Sequence, residues 1–224
     1  MKITKFHTGV ALTTSLLLAA LTGCGAANTA SSSASGSASS SVSASASSQN
    51  SKKHTSFFVK DNGDGTKVIK DIDGKEVTVP TNPERIADLW HANNQVVLLL
   101  GGAEKLVSTT STVKSLAWFK QVYPGIEKVD APVKGTDVNM EQLLADRPEV
   151  LLASSKEQIA KAAEAGIPAV HVEFQNFADL KRTVELTAEV IGTDEAIERA
   201  EKYLAYLEKN ENLIKERLQD VTES

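Results

Sequence analysis

The sequence predicts an α/β fold: a Rossmann-like parallel-sheet lobe with helices on both faces, preceded by a β-hairpin and followed by a long connecting α-helix. Three observations carry this. From Pro83 to Gly192, short apolar runs alternate with amphipathic ones, the pattern of strand–helix repeats whose strands pair in parallel. Within that stretch, residues 135–155, "GTDVNMEQLLADRPEVLLASS", pass from a helix-spaced segment through Pro148 into a mostly apolar run that ends at Ser154 and Ser155. Finally, from Thr193 to about Asp220 nothing interrupts helical spacing.

The composition divides the chain before any element is assigned. Residues 1–53 hold Lys2, Lys5, Lys52 and Lys53 and no acid, so the rest carries 20 basic and 29 acidic side chains. An acidic folded part lacks the basic footprint that a nucleic-acid partner requires. Residues 1–23 read as an export signal: two lysines, the apolar "VALTTSLLLAAL", too short for a comfortable membrane span, and then "LTGC". "LTGC" resembles the bacterial lipobox, which makes Cys24 the expected site of lipidation and of a membrane anchor. Cys24 is the only cysteine, so no intramolecular disulfide is available. Residues 24–54 are Ser/Ala-rich with nothing to bury and read as a flexible tether.

The lobe is expected over 55–192. "SFFVK", "TKVIKDI" and "KEVTV" alternate and are separated by "DNGDGT" and "DG", two hairpins in series. Aligning Gly65 with the glycine of a calcium loop puts Lys60 where an acidic ligand belongs, so "DNGDG" is a turn. "RIADLW" (85–90) and "KLVSTT" (105–110) read as strands around a helix at 93–102, and "SLAWFKQVYP" as a short helix stopped by Pro124. Asn139 is the expected N-cap of a helix to Ala145, followed by a buried strand at 149–153. A helix closed by Gly166, a strand at 167–174 and a helix from Asn176 to Gly192 complete the lobe. The last segment, 193–224, gives a helix of about 27 residues, roughly 40 Å long. That is long enough to serve as a strut to another unit or as a dimer interface.

In an open α/β sheet ligands sit outside the carboxyl ends of the strands. The strand ends here are Trp90-His91, Ser108-Thr109-Thr110, Ser154-Ser155 and Glu173-Phe174. Trp90 and Phe174 could lie flat against a large planar ligand, and Trp118 could roof the pocket. His91 has two readings, a structural residue or an axial ligand to a chelated metal. His171, inside a strand, reads as structural. Asp88 departs from the apolar pattern of its strand, and accepting a hydrogen bond from a neighbouring loop or reaching the cleft both account for it. No phosphate-binding glycine loop and no nucleophile–base pairing is visible, so no enzyme is expected. Four histidines, two of them near the start, are too few for a dedicated protein metal site.

"NPERIADL", "NMEQLLADRPEVLLAS", "AGIPAVHV" and "FADLKRTVELTAEVIGTDEAIERAEKYL" together resemble the substrate-binding lipoproteins of ABC importers for iron–siderophore complexes, haem and cobalamin. The resemblance spans about residues 67–220 and takes in only that family's N-terminal lobe and connecting helix, so a truncated or split form, with the second lobe absent or separate, is expected. It implies no cofactor and, as ligand, a metal chelate, haem or corrinoid. It places the chain on the outer side of the cell membrane, lipid-anchored, with an ABC permease and its ATPase as partners. It also implies that Glu141 docks on the permease, while Trp90, His91, Ser108, Thr109, Trp118, Ser154, Ser155, Glu173 and Phe174 form this lobe's share of the ligand site. The alternative is a tethered surface lipoprotein that dimerises through its long helix.

Overall fold

A computed structural model describes residues 53–219; the expected signal, Cys24 and nearly all of the tether lie outside the described residues. A three-stranded antiparallel meander comes first: β1 (Phe58–Asp61), β2 (Thr66–Lys70) and β3 (Glu76–Pro80), in the order β1-β2-β3. Its first turn is built by aspartates, Asp61 Oδ1 accepting from Gly63 N at 2.7 Å and Asp64 Oδ1 from Thr66 N at 3.0 Å.

The main sheet then begins with β4 (Ile86–Asp88), followed by α1 (His91–Leu99), β5 (Leu106–Thr110), α2 (Ser111–Ser115) and α3 (Ala117–Val122). Next come β6 (Asp130–Lys134), β7 (Asp137–Val138), α4 (Met140–Ala145), β8 (Val150–Ala153), α5 (Lys156–Glu164), β9 (Ala169–His171), α6 (Phe177–Ile191) and α7 (Asp194–Arg217). The sheet order is β7-β6-β5-β4-β8-β9. All neighbouring pairs are parallel except the edge pair β6–β7. The first strand of this sheet, β4, therefore lies inside it, and the strands that follow leave in opposite directions on its two sides.

Burial on both faces follows the two-residue period of a strand. Ile86, Val150, Leu152 and Val170 turn to a core shared with α1 and α6, while Ala87, Leu151, Ala153 and Ala169 turn to a smaller core with α4 and α5. Asn139 and Asn176 cap their helices as expected, and Ser155 and Thr193 do the same for theirs: each accepts a backbone N–H from the first turn it opens.

Three elements differ from the sequence reading. The "SLAWFKQVYP" segment is two helices broken at Leu116, with no glycine or proline at the break. β6, with Pro132 and charged ends, was not expected at all. α1 starts at His91 rather than at Asn93; its N-cap, Trp90, supplies no side-chain acceptor to the first turn, and Asp88, two residues upstream, fixes the Trp90 backbone by accepting from its N–H.

A buried ion pair fastens the N-terminal arm. Lys67 on β2 is fully buried, and its ammonium donates to the Glu189 carboxylate at 3.0 Å and to the Glu189 main-chain carbonyl. The same carboxylate accepts from Thr55 N at 2.8 Å and pairs with His54 Nδ1 at 3.0 Å. Burial raises the Glu189 pKa, but Lys67, the Thr55 amide and His54 outweigh it, leaving the group below the usual carboxylate range. At the α6–α7 corner Gly192 has φ +77° and packs on the chain at Thr81.

Candidate functional site

Parallel pairing brings the carboxyl ends of β4, β5, β6 and β8 to one edge of the sheet, and a pocket of about 170 Å³ opens there. Its lining includes Trp90 and His91 after β4, Thr110 and Thr112 after β5, Thr136 after β6, and Ser154 and Ser155 after β8. This is the switch point, where the connections leaving β4 and β8 diverge and leave a crevice. Several rim hydroxyls are already oriented by helix capping: Thr110 Oγ1 accepts from Val113 N at 3.2 Å and Ser155 Oγ from Gln158 N at 3.4 Å. Each keeps its own O–H to offer outward.

His91, the first residue of α1, is exposed at the rim. Trp90 is half-buried, its ring 4.9 Å from that of Phe174 and tilted by 53°. Beneath it, Asp88 resolves the question its strand posed: it does not reach the cleft. Its carboxyl is buried and accepts from Trp90 N at 3.1 Å and from Asn93 Nδ2 at 3.0 Å. His171 is structural as expected, bridging Asp73 Oδ2 at 3.0 Å and the Ser154 carbonyl at 3.2 Å. Lys156, donating to Asp73, and His171 together hold that exposed carboxyl below its usual range.

Five expected site residues lie outside this pocket. Ser108 and Thr109 sit inside the lobe instead of on the rim. Both are fully buried, Ser108 Oγ donating to Asp146 Oδ2 at 2.6 Å and Thr109 Oγ1 to Asn94 Oδ1 at 2.7 Å. A strand covered on both faces has no outward side, so polarity alone was a misleading guide there. Trp118 does not roof the pocket. It stacks on Phe119 with ring centroids 3.8 Å apart and lines a separate groove of about 660 Å³ between α1, α3, α6 and α7. Phe174 lines that groove too, while also touching Trp90. Glu173 is beside the pocket rather than in it, 3.7 Å from His171 and bonded to Gln175. Among the lining residues that sequence reasoning missed, Thr112 and Thr136 follow strand ends, and Thr136 was out of reach because β6 was not recognised.

Glu141 is exposed in the first turn of α4 and, among the described residues, has no hydrogen-bond or ion-pair partner. Its helix is held firmly at the other end. The Arg85 guanidinium donates to the carbonyls of Asp146 and Arg147, and the Glu149 carboxylate accepts from Glu84 N and Arg85 N. Arg147 is held at φ +46°, which favours glycine. Burial raises the Asp146 carboxyl above its usual range; the Ser108 hydroxyl opposes this and Asp130 adds to it.

A parallel α/β lobe with a hydroxyl-rimmed crevice at its switch point, and a long helix leading away from it, is the architecture of a solute-binding lobe. The chain belongs to the periplasmic binding protein family, whose model matches residues 86–224. It is 25% identical over 141 residues to YvrC, an ABC transporter substrate-binding lipoprotein of Bacillus subtilis, covering 60% of this chain and 42% of that one. A periplasmic solute binding protein from Veillonella parvula has a similar fold, with a TM-score of 0.64, 24% identity, and coverage of 71% of this chain and 50% of that one. So does the molybdate-binding protein MolA of Haemophilus influenzae, with a TM-score of 0.63, 24% identity and coverage of 70% and 55%. The chain thus spans about half the length of the relatives it matches. No helix among the described residues is long and apolar enough to cross a membrane.

Proposed function

We propose that this lobe is the substrate-capturing part of an extracytoplasmic ABC-importer lipoprotein, anchored through Cys24, that takes an iron complex (siderophore or haem) or cobalamin and presents it to the permease and its ATPase. The observation that carries this reading is the pocket at the carboxyl ends of β4, β5, β6 and β8, with Trp90 and His91 on one side and Ser154 and Ser155 on the other. An aromatic face beside a rim of hydroxyls suits a large, partly planar, polar-edged solute. Exposed Glu141, on a helix clamped by Arg85, suits docking to a fixed guanidinium on the permease.

The pocket is smaller than a typical closed ligand site of roughly 300–1,000 Å³. One wall alone therefore gives weak affinity, and a second lobe closing over the rim raises it. The test is a titration of the full chain with haemin, cobalamin, a ferric catecholate, a ferric hydroxamate and molybdate, followed by calorimetry. Saturable binding of one of the first four that is lost in Trp90→Ala supports the reading. Selective binding of molybdate would replace a chelate or corrinoid by a compact oxyanion, and failure of all five to bind once a second lobe completes the cleft would overturn the reading.

A second reading has one observation behind it: Tyr206, Leu213 and Ile214 on α7, and Leu218 at its C-cap, are exposed apolar residues. A tethered lipoprotein dimerising through this helix would double its mass with rising concentration, which sedimentation equilibrium reads directly.

A further inference from the structure

Under the cleft lies a cluster of five fully buried polar side chains that ligand contact does not use: Asp88, Asn93, Asn94, Thr109 and Thr187. They join four elements. Asn93 Nδ2 on α1 donates to Asp88 Oδ2 on β4, and Thr187 Oγ1 on α6 donates to Asn93 Oδ1 at 3.1 Å. Asn94 Nδ2 donates to the carbonyls of Asp88 at 2.9 Å and Trp90 at 3.0 Å, while Thr109 on β5 holds its oxygen. The cluster therefore grips the Trp90 backbone from both sides: its N–H by Asp88, its carbonyl by Asn94.

The geometry points to Asp88 as the positioning residue for the Trp90–His91 corner of the cleft, working through a hydrogen-bond relay to Asn93 and Thr187 that reverses direction when its carboxyl gains or loses a proton. This rests on the reading of that edge as the ligand cleft. In the ionised arrangement every donor points towards Asp88, and the charge lies at the start of α1, whose first turn holds no acid and whose N-cap has no side-chain acceptor. In the neutral arrangement the carboxyl must donate. Turning the Asn93 amide over presents its oxygen to the Asp88 hydroxyl and its NH₂ to Thr187 Oγ, whose own O–H can turn to a carbonyl of the preceding helical turn. Both arrangements leave every member bonded, which is what a buried polar network requires.

The two arrangements differ at Trp90. Its N–H meets a charged oxygen in one and a neutral one in the other, and a charge-assisted bond is shorter and stronger. Burial holds the Asp88 carboxyl well above the usual carboxylate range, against the opposing pull of the Trp90 amide and Asn93. What faces the carboxyl is the Trp90 amide and Asn93, with Thr187 behind it on α6 and uncharged Thr109 and Asn94 alongside. No charged side chain contributes to its shift. The nearest ionisable groups along the chain are Arg85, turned to the Asp146 and Arg147 carbonyls, and His91, at the rim.

The chain has two tryptophans, Trp90 and Trp118, so Trp118→Phe leaves Trp90 as its sole tryptophan, excited selectively over the tyrosines. Its emission is followed from pH 4 to pH 9 without ligand. A single transition is expected with its midpoint above the ordinary aspartate value, absent when Asp88→Asn is added and retained when His91→Gln is added. Adding Asn93→Leu instead removes the Asp88 partner in both forms, and because the bond to the charged form is the stronger the midpoint moves up by about one pH unit. Should Asp88→Asn fail to fold by circular dichroism, this displacement decides the matter. A flat profile, a transition that survives Asp88→Asn, or a midpoint unmoved by Asn93→Leu overturns the relay. Because no ligand is present, those outcomes leave the proposed transport function standing, and a failed ligand titration likewise leaves this result intact.

Discussion

Glu189→Ala is expected to be among the most damaging single substitutions in the lobe, although it lies far from the cleft. The carboxylate is 1% exposed and faces a Lys67 side chain that is 0% exposed, with Thr55 N and His54 as further partners. Removing it takes away the counter-charge from a fully desolvated ammonium, a change that costs about 3–5 kcal/mol. For a lobe of this size, where total stability is about 5–15 kcal/mol and each kcal/mol moves the midpoint by about 2–4 °C, that is a fall of about 6–20 °C in Tm. Urea denaturation at pH 7, read by circular dichroism, measures it. The double variant Lys67→Met/Glu189→Leu should recover at least half of the loss, since two apolar side chains of similar size need no counter-charge. The Thr55 amide and His54, close to the surface, can turn to water. A loss below about 1 kcal/mol, or a double variant no better than the single one, would refute the reasoning.

Two further predictions follow from the same cores. Gly192→Ala should cost about 2 kcal/mol or more in urea denaturation, because a Cβ there would lie 2.1 Å from the Thr81 carbonyl oxygen on a backbone already at φ +77°. A loss under half that would mean the α6–α7 corner yields readily. The pH dependence of stability should carry two opposed contributions. Glu189, depressed in the folded state, stabilises above the unfolded carboxylate pKa, and that contribution fades as pH falls through its lowered folded value. Asp88, raised in the folded state, stabilises at low pH and loses that contribution as pH rises from the unfolded to the folded value. Asp88→Asn should therefore gain on the wild type as pH increases and level off above the Asp88 transition. A stability difference independent of pH would contradict this.

The elements legible in the sequence are those whose burial is one-sided or total over a clean run. "EVLLAS" after Pro148 could only be a covered strand, and the Asn139 and Asn176 caps carry side chains that do what their type suggests. β6 was illegible because Pro132 and flanking charges disguise a strand near the sheet edge, where a missing N–H and exposed ends are tolerated. At the site, the common edge of β4, β5, β8 and β9 was readable from alternation alone. Which residue of each strand end faces the pocket was not. Ser108, Thr109 and Thr110 look alike in sequence, yet the first two are consumed by Asp146 and Asn94 while the third lines the crevice. Their difference lies in partners dozens of residues away or on another element, which no local pattern records. Trp118 failed for a related reason: the break at Leu116 re-aims α3, and nothing in the residues announces it.

The mooring of residues 53–56 has a mechanical consequence. Lys53 pairs with Glu198 and Glu201 on α7, while His54 and Thr55 hold Glu189 near the end of α6, beside the corner that packs on Thr81 just ahead of β4. That is the amino-terminal edge of the sheet, and the crevice opens at the other. A pull on the chain at residue 53 is thus taken up first by the two helices, in shear across several contacts at once, and reaches the crevice-bearing strands only through their packing. Tension applied at residue 53 therefore enters the lobe at its base and leaves the mouth of the crevice undistorted.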